Sequence, residues 1–268
     1  MIDKNFIFLS GHHRSGTSLL HEILSEHPQI SGFSQTGVPE NEGQHLQTVF
    51  EPAKKYGGPG KYIYNESSHM TEDHPLATEQ AAQTILEEWE RYYDTKCEYY
   101  IEKSPPNLVR TRFFQKCFPN SKFVVILRHP LAVGYATQKW SKTSIKSLIE
   151  HTLIGYEVFM RDMEYLNNVY VVRYEDFVEN PQDEIEKVYE FLGLNSWPIQ
   201  HNVRTDVNEK YFTMWQKNRK NFFKKCLFHI DDKLEKRANK IGYSLINYRG
   251  SLPSSVFGAH NKAIKSDA

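Results

Sequence analysis

Hydrophobic and polar positions alternate in blocks along this chain of 268 residues. Short apolar runs typical of buried strands are separated by longer segments whose apolar residues recur at helical spacing. The strand-like runs are residues 6–9, 99–101, 123–127 and 169–172. The helical segments are residues 18–25, 76–93, 109–117 and 148–166. Strands separated by helices predict an α/β fold, in which one domain has a central parallel β-sheet flanked by helices.

Polar or charged residues follow three of the predicted strands at the point where each strand ends. They occupy positions 11–17, 102–105 and 128–130. Ligands of parallel α/β sheets bind at the carboxyl ends of the strands. We therefore expect these three segments to converge on one site.

The segment after the first strand, GHHRSGTS, has the layout of a phosphate-binding loop between a strand and a helix. Gly11 and Gly16 have the spacing of the GxxxxGK[ST] motif, but Thr17 stands where that motif requires Lys. Backbone N–H groups at the helix start and the Arg14 guanidinium can still bind an anion. No predicted strand ends in the Asp that holds Mg²⁺ in a Walker-type site. The loop therefore predicts phosphate binding without a metal, and a phosphotransferase that uses ATP and Mg²⁺ is the alternative.

Four segments, in this order, resemble the sulfotransferases that use 3'-phosphoadenosine 5'-phosphosulfate (PAPS). HHRSGTSLL is similar to their 5'-phosphosulfate loop, and IEKSP is similar to the IEKTP segment of the heparan-type enzymes. FVVILRHPLAVGYATQKW resembles their 3'-phosphate element, and VVRYEDFVENPQDEIEKVYEFLGL resembles the end of their domain. The resemblance implies a P-loop NTPase-like sulfotransferase fold over residues 1–250, with PAPS as donor substrate and no metal. Residues 251–268 are predicted to form a polar tail.

The resemblance also implies which residues bind the cofactor. They are His13, Arg14, Ser15, Gly16, Thr17, Ser18, Arg128, Thr137, Tyr174 and Tyr211. Two positions depart from the family pattern. Ala136 occupies the usual serine position of the 3'-phosphate element, so either Thr137 replaces that serine, or the backbone and Lys139 do. His13 stands where the loop usually has Pro.

Sulfuryl transfer requires groups that stabilise charge and a base that takes the acceptor's proton. We expect Arg14 and Lys103 to stabilise charge, because Lys103 resembles the lysine that heparan-type enzymes place near the sulfuryl group. Ser34 and Gln35 stand where the tyrosylprotein enzymes have their glutamates, so that base is absent. If residues 43–50 form a helix, Glu42 and His45 share a face. Either one is then the base, and the other orients it.

Two further segments have predicted roles around the ligands. Residues 56–70, which are rich in Gly, Tyr and polar residues, are expected to form a mobile wall of the acceptor pocket. Residues 208–220 are expected to close on the nucleotide, and Tyr211 among them to stack on adenine or to donate to a phosphate.

Composition limits the possible partners and the location. Lys and Arg total 33, as do Asp and Glu, so no overall basic field is available for nucleic acid. Cys97, Cys117 and Cys226 form no CxxC pair, which predicts packed thiols and a reducing compartment. Since neither a leader nor an apolar run of ~20 residues is evident, we expect a cytoplasmic protein without a membrane partner. Its acceptor would be a small molecule, such as a polar or cationic secondary metabolite. A non-catalytic nucleotide-binding protein is the second alternative.

Overall fold

The computed structural model describes residues 4–221 and 225–249. Its sheet has five parallel strands in the order β2-β3-β1-β4-β5. The strands are β1 (Asn5–Gly11), β2 (Ile30–Gly32), β3 (Tyr99–Lys103), β4 (Lys122–Leu127) and β5 (Val169–Arg173). The α/β prediction is confirmed. Strand β2 was not predicted, because its three residues, Ile-Ser-Gly, contain a single apolar side chain. The side chain of Cys226 and the predicted tail at 251–268 lie outside the described residues.

Nine α-helices are present within the described ranges. They are α1 (Thr17–Leu24), α2 (Glu79–Glu90), α3 (Thr111–Cys117), α4 (Pro130–Ser141), α5 (Ile145–Asp162), α6 (Tyr174–Glu179), α7 (Pro181–Leu192), α8 (Glu209–Lys220) and α9 (Asp232–Lys240). Helix α2 begins later than predicted because the Thr78 hydroxyl accepts from the Ala81 N–H and caps it there. No helix in the described part of the chain is both long and apolar enough to cross a membrane.

The two faces of the sheet pack against different helices, and the alternation of side chains along β1 divides the core accordingly. Phe6 and Phe8 join an aromatic cluster that includes Trp89 of α2. Ile7 and Leu9 face the opposite side, where α1 and α7 pack. Because β1 is covered on both faces, its carboxyl end is held firmly at the edge where the predicted site lies.

The chain between β2 and α2 contains no α-helix, only single 3₁₀ turns. The prediction of a helix over 43–50 is therefore wrong, and one turn at Gly43–His45 is all that forms. The Gln47 side-chain oxygen accepts from the N–H groups of Val49 and Phe50 at 2.7 and 2.8 Å, which diverts them from helical carbonyls. Short turns also build most of residues 56–70, and their mobility stays a prediction.

Candidate active site

Strand β1 lies between β3 and β4, so their carboxyl ends meet at one edge of the sheet, as predicted. A cavity of about 630 Å³ opens above this edge. Most of the predicted site residues line it, namely His13, Arg14, Gly16, Thr17, Ser18, Glu42, His45, Arg128, Tyr174 and Tyr211. Ser15, Lys103 and Thr137 do not line it. The cavity is large enough for a nucleotide and a small acceptor together.

The loop after β1 depends on two glycines for its shape. A Cβ at Gly11 would lie 2.5 Å from the Ile126 carbonyl oxygen and 2.5 Å from the Ser15 Oγ. Gly16 has φ 109°, in the left-handed region, and a Cβ there would meet the Tyr174 ring at 2.7 Å. No side chain caps the following helix α1, whose first N–H groups have no partner within the helix. These groups are free to bind an anion at the cavity floor.

The three side chains at the tip of the loop have different environments. Arg14 is exposed, and its guanidinium carbon lies 4.8 Å from the centre of the Trp140 ring at the cavity mouth. Burial above all, together with the nearby His12, Lys103 and His45, lowers the pKa of His13 to about 3. A neutral imidazole therefore borders the cavity. Ser15 is fully buried, and its hydroxyl has no hydrogen-bond partner among the described residues.

Arg128 follows β4 and is fixed from several sides. Tyr156 clamps its peptide, since the phenol accepts from the Arg128 N–H and donates to the Arg128 carbonyl, both at 2.9 Å. Nε and Nη2 donate to the Asn208 side-chain oxygen at 2.9 and 2.7 Å, and Nη1 donates to the Arg14 carbonyl at 2.8 Å. The guanidinium thus stands beside the phosphate-binding loop, facing the cavity with its position already set.

A carboxylate of the YED segment supports this arrangement from behind. One oxygen of Glu175 accepts from the Asn208 amide at 2.8 Å and from the His129 N–H at 3.0 Å. The other accepts from the Tyr243 hydroxyl at 3.0 Å. Asn208 immediately precedes α8, so these bonds tie the start of that helix to Arg128 and β4. The segment at 208–220, predicted to close on the nucleotide, is therefore a helix docked on the site.

Aromatic rings border the cavity on the Arg128 side. The guanidinium carbon of Arg128 lies 4.0 Å from the Tyr174 ring centre and 5.8 Å from the Tyr211 ring centre. Lys210 also lines the cavity, with Nζ 4.8 Å from the Tyr211 ring centre. Flat rings beside a cation suit a nucleotide base next to a phosphate.

Thr137 has a supporting position. It is buried, and its hydroxyl donates to the His13 carbonyl at 3.4 Å, so the side chain points at the back of the loop. Lys139, the other candidate for the missing serine, has Nζ 4.8 Å from the Trp140 ring centre. Direct contact of Thr137 with the cofactor stays a prediction.

The opposite side of the cavity carries the predicted base. Glu42 Oε2 accepts from the Gln44 side-chain amide and lies 4.0 Å from His45 Nε2, whereas Oε1 lies 3.5 Å from Lys103 Nζ. Burial raises the pKa of Glu42, partly offset by Lys103 and Gln44. Burial, Lys54 and Lys103 lower the pKa of His45. The two residues therefore meet although the predicted helix is absent.

Lys103 lies behind this pair rather than in the cavity wall. Its side chain is 2% exposed, and Nζ donates to the Glu40 carbonyl at 2.8 Å and to Glu42 Oε1 at 3.5 Å. A lysine buried in this way is not a solvated surface residue. Its ammonium group stabilises the Glu42 carboxylate directly, and its contact with a sulfuryl group stays a prediction.

Comparison with known proteins agrees with this geometry. The profile of the Sulfotransferase family matches residues 6–198, which hold the phosphate-binding loop, Arg128 and the YED segment. The chain belongs to the sulfotransferase family.

Individual sulfotransferases resemble the chain more distantly. Omega-hydroxy-beta-dihydromenaquinone-9 sulfotransferase Stf3 of Mycobacterium tuberculosis is 25% identical over 248 residues, covering 71% of this chain and 63% of that protein. Protein-tyrosine sulfotransferase 2 of Gallus gallus is 22% identical over 211 residues, covering 71% of this chain and 51% of that protein. The chain thus spans less than two thirds of the length of either relative.

Solved sulfotransferase structures share the fold. The sulfotransferase domain from the curacin biosynthetic pathway superposes with a TM-score of 0.57 at 14% identity, covering 90% of this chain and 99% of that one. Sulfotransferase STF9 from Mycobacterium avium gives a TM-score of 0.54 at 10% identity, covering 90% and 76% of the two chains. The predicted P-loop-like sulfotransferase fold is confirmed.

Sequence reasoning missed several residues of this sulfotransferase site. Gln44 and Asn208 hold Glu42 and Arg128, respectively, and Trp140 stands at the cavity mouth beneath Arg14. All three lie in segments that the sequence analysis identified, but nothing in the sequence predicted a role for these particular residues. An amide is informative only when its partner is known, and the partner of Asn208 lies 80 positions away.

Proposed function

We propose that this protein transfers the sulfuryl group of PAPS to a hydroxyl, amine or carbamate nitrogen of a small-molecule acceptor. The observation that carries the proposal is one cavity in which two anion sites face a buried acid and histidine. One anion site is the start of α1 with Arg14, and the other is Arg128. Two such sites suit a nucleotide phosphorylated at both ends of its ribose.

The proposed nucleotide orientation follows from these positions. The phosphosulfate lies on the N–H groups of Gly16, Thr17 and Ser18, and the 3'-phosphate lies against Arg128. The adenine lies near Tyr174 and Tyr211, the aromatic pair beside that guanidinium. This orientation directs the sulfuryl group towards Glu42 and His45.

In the proposed reaction the acceptor atom attacks sulfur in line with the departing phosphate oxygen. The new bond joins sulfur to the acceptor oxygen or nitrogen, and the bond between sulfur and the phosphate oxygen breaks. The helix start and Arg14 stabilise the charge that develops on the leaving phosphate. Cationic side chains and backbone dipoles supply this stabilisation in our proposal, so no step is assigned to a metal.

We assign proton removal to His45 and an orienting role to Glu42. Both Glu42 oxygens already face donors, namely Gln44 on one and Lys103 on the other. His45 is 23% exposed, and its lowered pKa leaves the ring neutral and able to accept a proton. The carboxylate 4.0 Å away then stabilises the imidazolium that forms.

The acceptor end of the cavity favours a molecule with an apolar body. Pro39, Ala53 and Pro59, which come from the same stretch as the acid and histidine, line the cavity, as does Trp140. An apolar acceptor with one nucleophilic group fits this lining better than the polar or cationic metabolite expected from sequence. The Mycobacterium tuberculosis relative is named for a hydroxylated dihydromenaquinone, which has that general chemistry.

A binding experiment and a transfer experiment test the proposal together. Adenosine 3',5'-bisphosphate at ~100 times its dissociation constant should raise the melting temperature by roughly 5 to 11 °C without metal. Incubation with ³⁵S-labelled PAPS and hydroxylated apolar acceptors should then yield labelled product. If only ATP with Mg²⁺ stabilises the protein, the phosphotransferase alternative is correct. Binding of the bisphosphate with no transfer to any acceptor class would instead indicate a non-catalytic nucleotide-binding protein.

A further inference from the structure

Two neighbouring side chains at the end of β3 hold the segment that carries the proposed base. Glu102 and Lys103 are paired in register with Phe8 and Leu9, so they point to opposite faces of the sheet. Nevertheless, Lys103 binds the Glu40 carbonyl and Glu102 binds the Gly43 N–H. Residues 40–43 therefore lie across the end of the strand, and hydrogen bonds from both side chains hold them there.

Glu102 makes three hydrogen bonds while fully buried. Its Oε1 accepts from the Gly43 N–H at 2.9 Å and from the Ser104 hydroxyl at 2.5 Å, and its Oε2 accepts from the Asn107 amide. Burying a carboxyl group is costly, and hydrogen bonds of this kind are what offset that cost. No other role in the proposed reaction accounts for this group, because it does not line the cavity.

Ser104 extends this hydrogen bonding to Gln44, the residue after Gly43. The Ser104 hydroxyl donates to Glu102 and accepts from the Gln44 N–H at 3.1 Å. On the other side of the same peptide, the Trp89 indole donates to the Gly43 carbonyl at 3.1 Å. Consecutive backbone groups between Glu42 and His45 are thus fixed by side chains from β3 and α2.

Gly43 allows this close approach. A Cβ at that position would lie 2.6 Å from Glu102 Oε1, so any larger residue must displace the carboxylate. The absence of a side chain at Gly43 and the presence of a carboxylate at Glu102 are therefore matched features.

We propose that Glu102 is a positioning residue that, through the N–H groups of Gly43 and Gln44, sets the direction of Glu42 and His45. This inference rests on the proposed function, in which those two side chains act on the acceptor. Glu102 itself touches neither the substrate nor the reacting atoms. Its effect passes through the backbone of a segment that has no helix to support it.

Amide hydrogen exchange tests whether Glu102 holds this backbone segment, and it does not require enzymatic activity. Glu102→Asp shortens the side chain, so the carboxylate no longer reaches Gly43. Peptides covering residues 42–47 should then exchange ~10- to 100-fold faster, because buried N–H groups lose their acceptor. Peptides from β1 and α1 should exchange as before. Glu98→Asp, the same change at an exposed position before β3, is the control.

Kinetics and a conservative variant separate positioning from general support of the fold. Glu102→Asp should lower kcat ~10- to 100-fold and leave the KM for PAPS and the affinity for adenosine 3',5'-bisphosphate unchanged. Glu102→Gln should restore most of kcat, because its amide oxygen can accept from Gly43. Its NH₂ can donate to Asn107 Oδ1 once the Asn107 amide turns over, since that oxygen has no partner among the described residues. Ser104→Ala, which removes only the relay to Gln44, should have an intermediate kcat.

Three results would overturn the positioning role. They are unchanged exchange at 42–47 in Glu102→Asp, acceleration spread equally over β1 and α1, and equal loss of kcat in Glu102→Asp and Glu102→Gln. If Glu102→Asp does not fold, Gly43→Ala and Ser104→Ala address the same bonds from the other side. If wild-type protein transfers no sulfuryl group, the proposed function fails while the exchange result still decides whether Glu102 holds the segment.

Discussion

The guanidinium carbon of Arg128 lies 4.0 Å from the centre of the Tyr174 ring. The ring holds the cation flat, while hydrogen bonds to Asn208 and to the Arg14 carbonyl fix its direction. Little rotamer entropy therefore remains to be lost when the proposed 3'-phosphate binds there.

Arg128→Lys should weaken binding of adenosine 3',5'-bisphosphate ~10- to 100-fold, because an ammonium group cannot reproduce the planar fork or its stacking on Tyr174. Titration calorimetry measures the dissociation constant directly. Arg91→Lys, at an exposed position after α2, is the matched control. An affinity within twofold of wild type would remove Arg128 from the proposed phosphate site.

Gly16→Ala should reduce the stabilisation by adenosine 3',5'-bisphosphate and lower the melting temperature of the free protein. The new Cβ combines a left-handed backbone with a 2.7 Å approach to the Tyr174 ring. Gly37→Ala is the control, because Gly37 also has a positive φ of 81° but has nothing within 4 Å of its Cβ position. Thermal melts with and without ligand compare the two. Equal ligand shifts in both variants would contradict a role of the loop shape in binding.

Gln44→Glu should lower kcat at neutral pH at least ~10-fold by removing the donor to Glu42 and placing a second carboxylate beside it. The acid limb of the kcat profile, which we assign to His45, should move to higher pH, because a second negative charge beside Glu42 stabilises the imidazolium. Steady-state rates from pH 5 to 9 measure both effects. Gln80→Glu on the exposed side of α2 is the control. An unchanged pH profile would show that Gln44 does not influence the pair formed by Glu42 and His45.

His45→Gln should lower kcat more than Glu42→Gln, and only His45→Gln should abolish the acid limb of the profile. The lowered pKa of His45 places that limb below pH 6.5. Parallel rate measurements on the two variants decide which residue takes the proton. If Glu42→Gln removes the limb and His45→Gln retains it, the roles are reversed.

Stability should fall as pH decreases from 6.5, because several histidines are buried in the neutral form. Burial lowers the pKa of His12 to about 4 and the pKa of His13, His21 and His129 to about 3. The unfolded chain binds protons below pH 6.5 whereas the folded chain does not, so at pH 5.5 each histidine costs about 1.4 kcal/mol. Glu102, whose pKa burial raises to about 7, and Glu42, whose pKa burial also raises, act in the opposite direction.

Urea unfolding between pH 7.5 and 5 measures this dependence. His12→Gln should make the slope shallower, because the amide can still donate to the Thr152 carbonyl and does not titrate. A free energy of unfolding that stays constant from pH 7.5 to 5 would contradict the assignment of these histidines as neutral.

The proposed nucleotide half of the site follows from the sequence because local patterns determine it. The apolar run at 6–9 specifies β1, the glycine spacing specifies the loop, and Arg128 stands next to a clear strand. Predicting that these features meet requires only the rule that parallel strands end at the same edge of the sheet. Their boundaries differ from prediction mainly where a cap such as Thr78 decides the helix start.

The acceptor half could not be predicted in the same way. Its segment forms no periodic element, and its geometry depends on contacts between distant positions, such as Gly43 with Glu102 and Gln44 with Ser104. Lys103 illustrates the difficulty, since the sequence suggested only a role in stabilising charge. The structure instead shows it buried against the Glu40 carbonyl and Glu42.

The cavity is lined partly by the ends of strands and helices and partly by one irregular segment, and this division suggests how the choice of acceptor can be changed. Donor-side groups come from the ends of β1 and β4 and from the start of α8, whereas much of the acceptor wall comes from the continuous stretch between β2 and α2. A library that varies the cavity-facing positions of this stretch, while keeping Glu42, Gly43 and His45, could therefore alter acceptor choice without touching the donor grip. Because a side chain at position 43 would displace the Glu102 carboxylate, Gly43 and Glu102 must be kept together in every member of such a library.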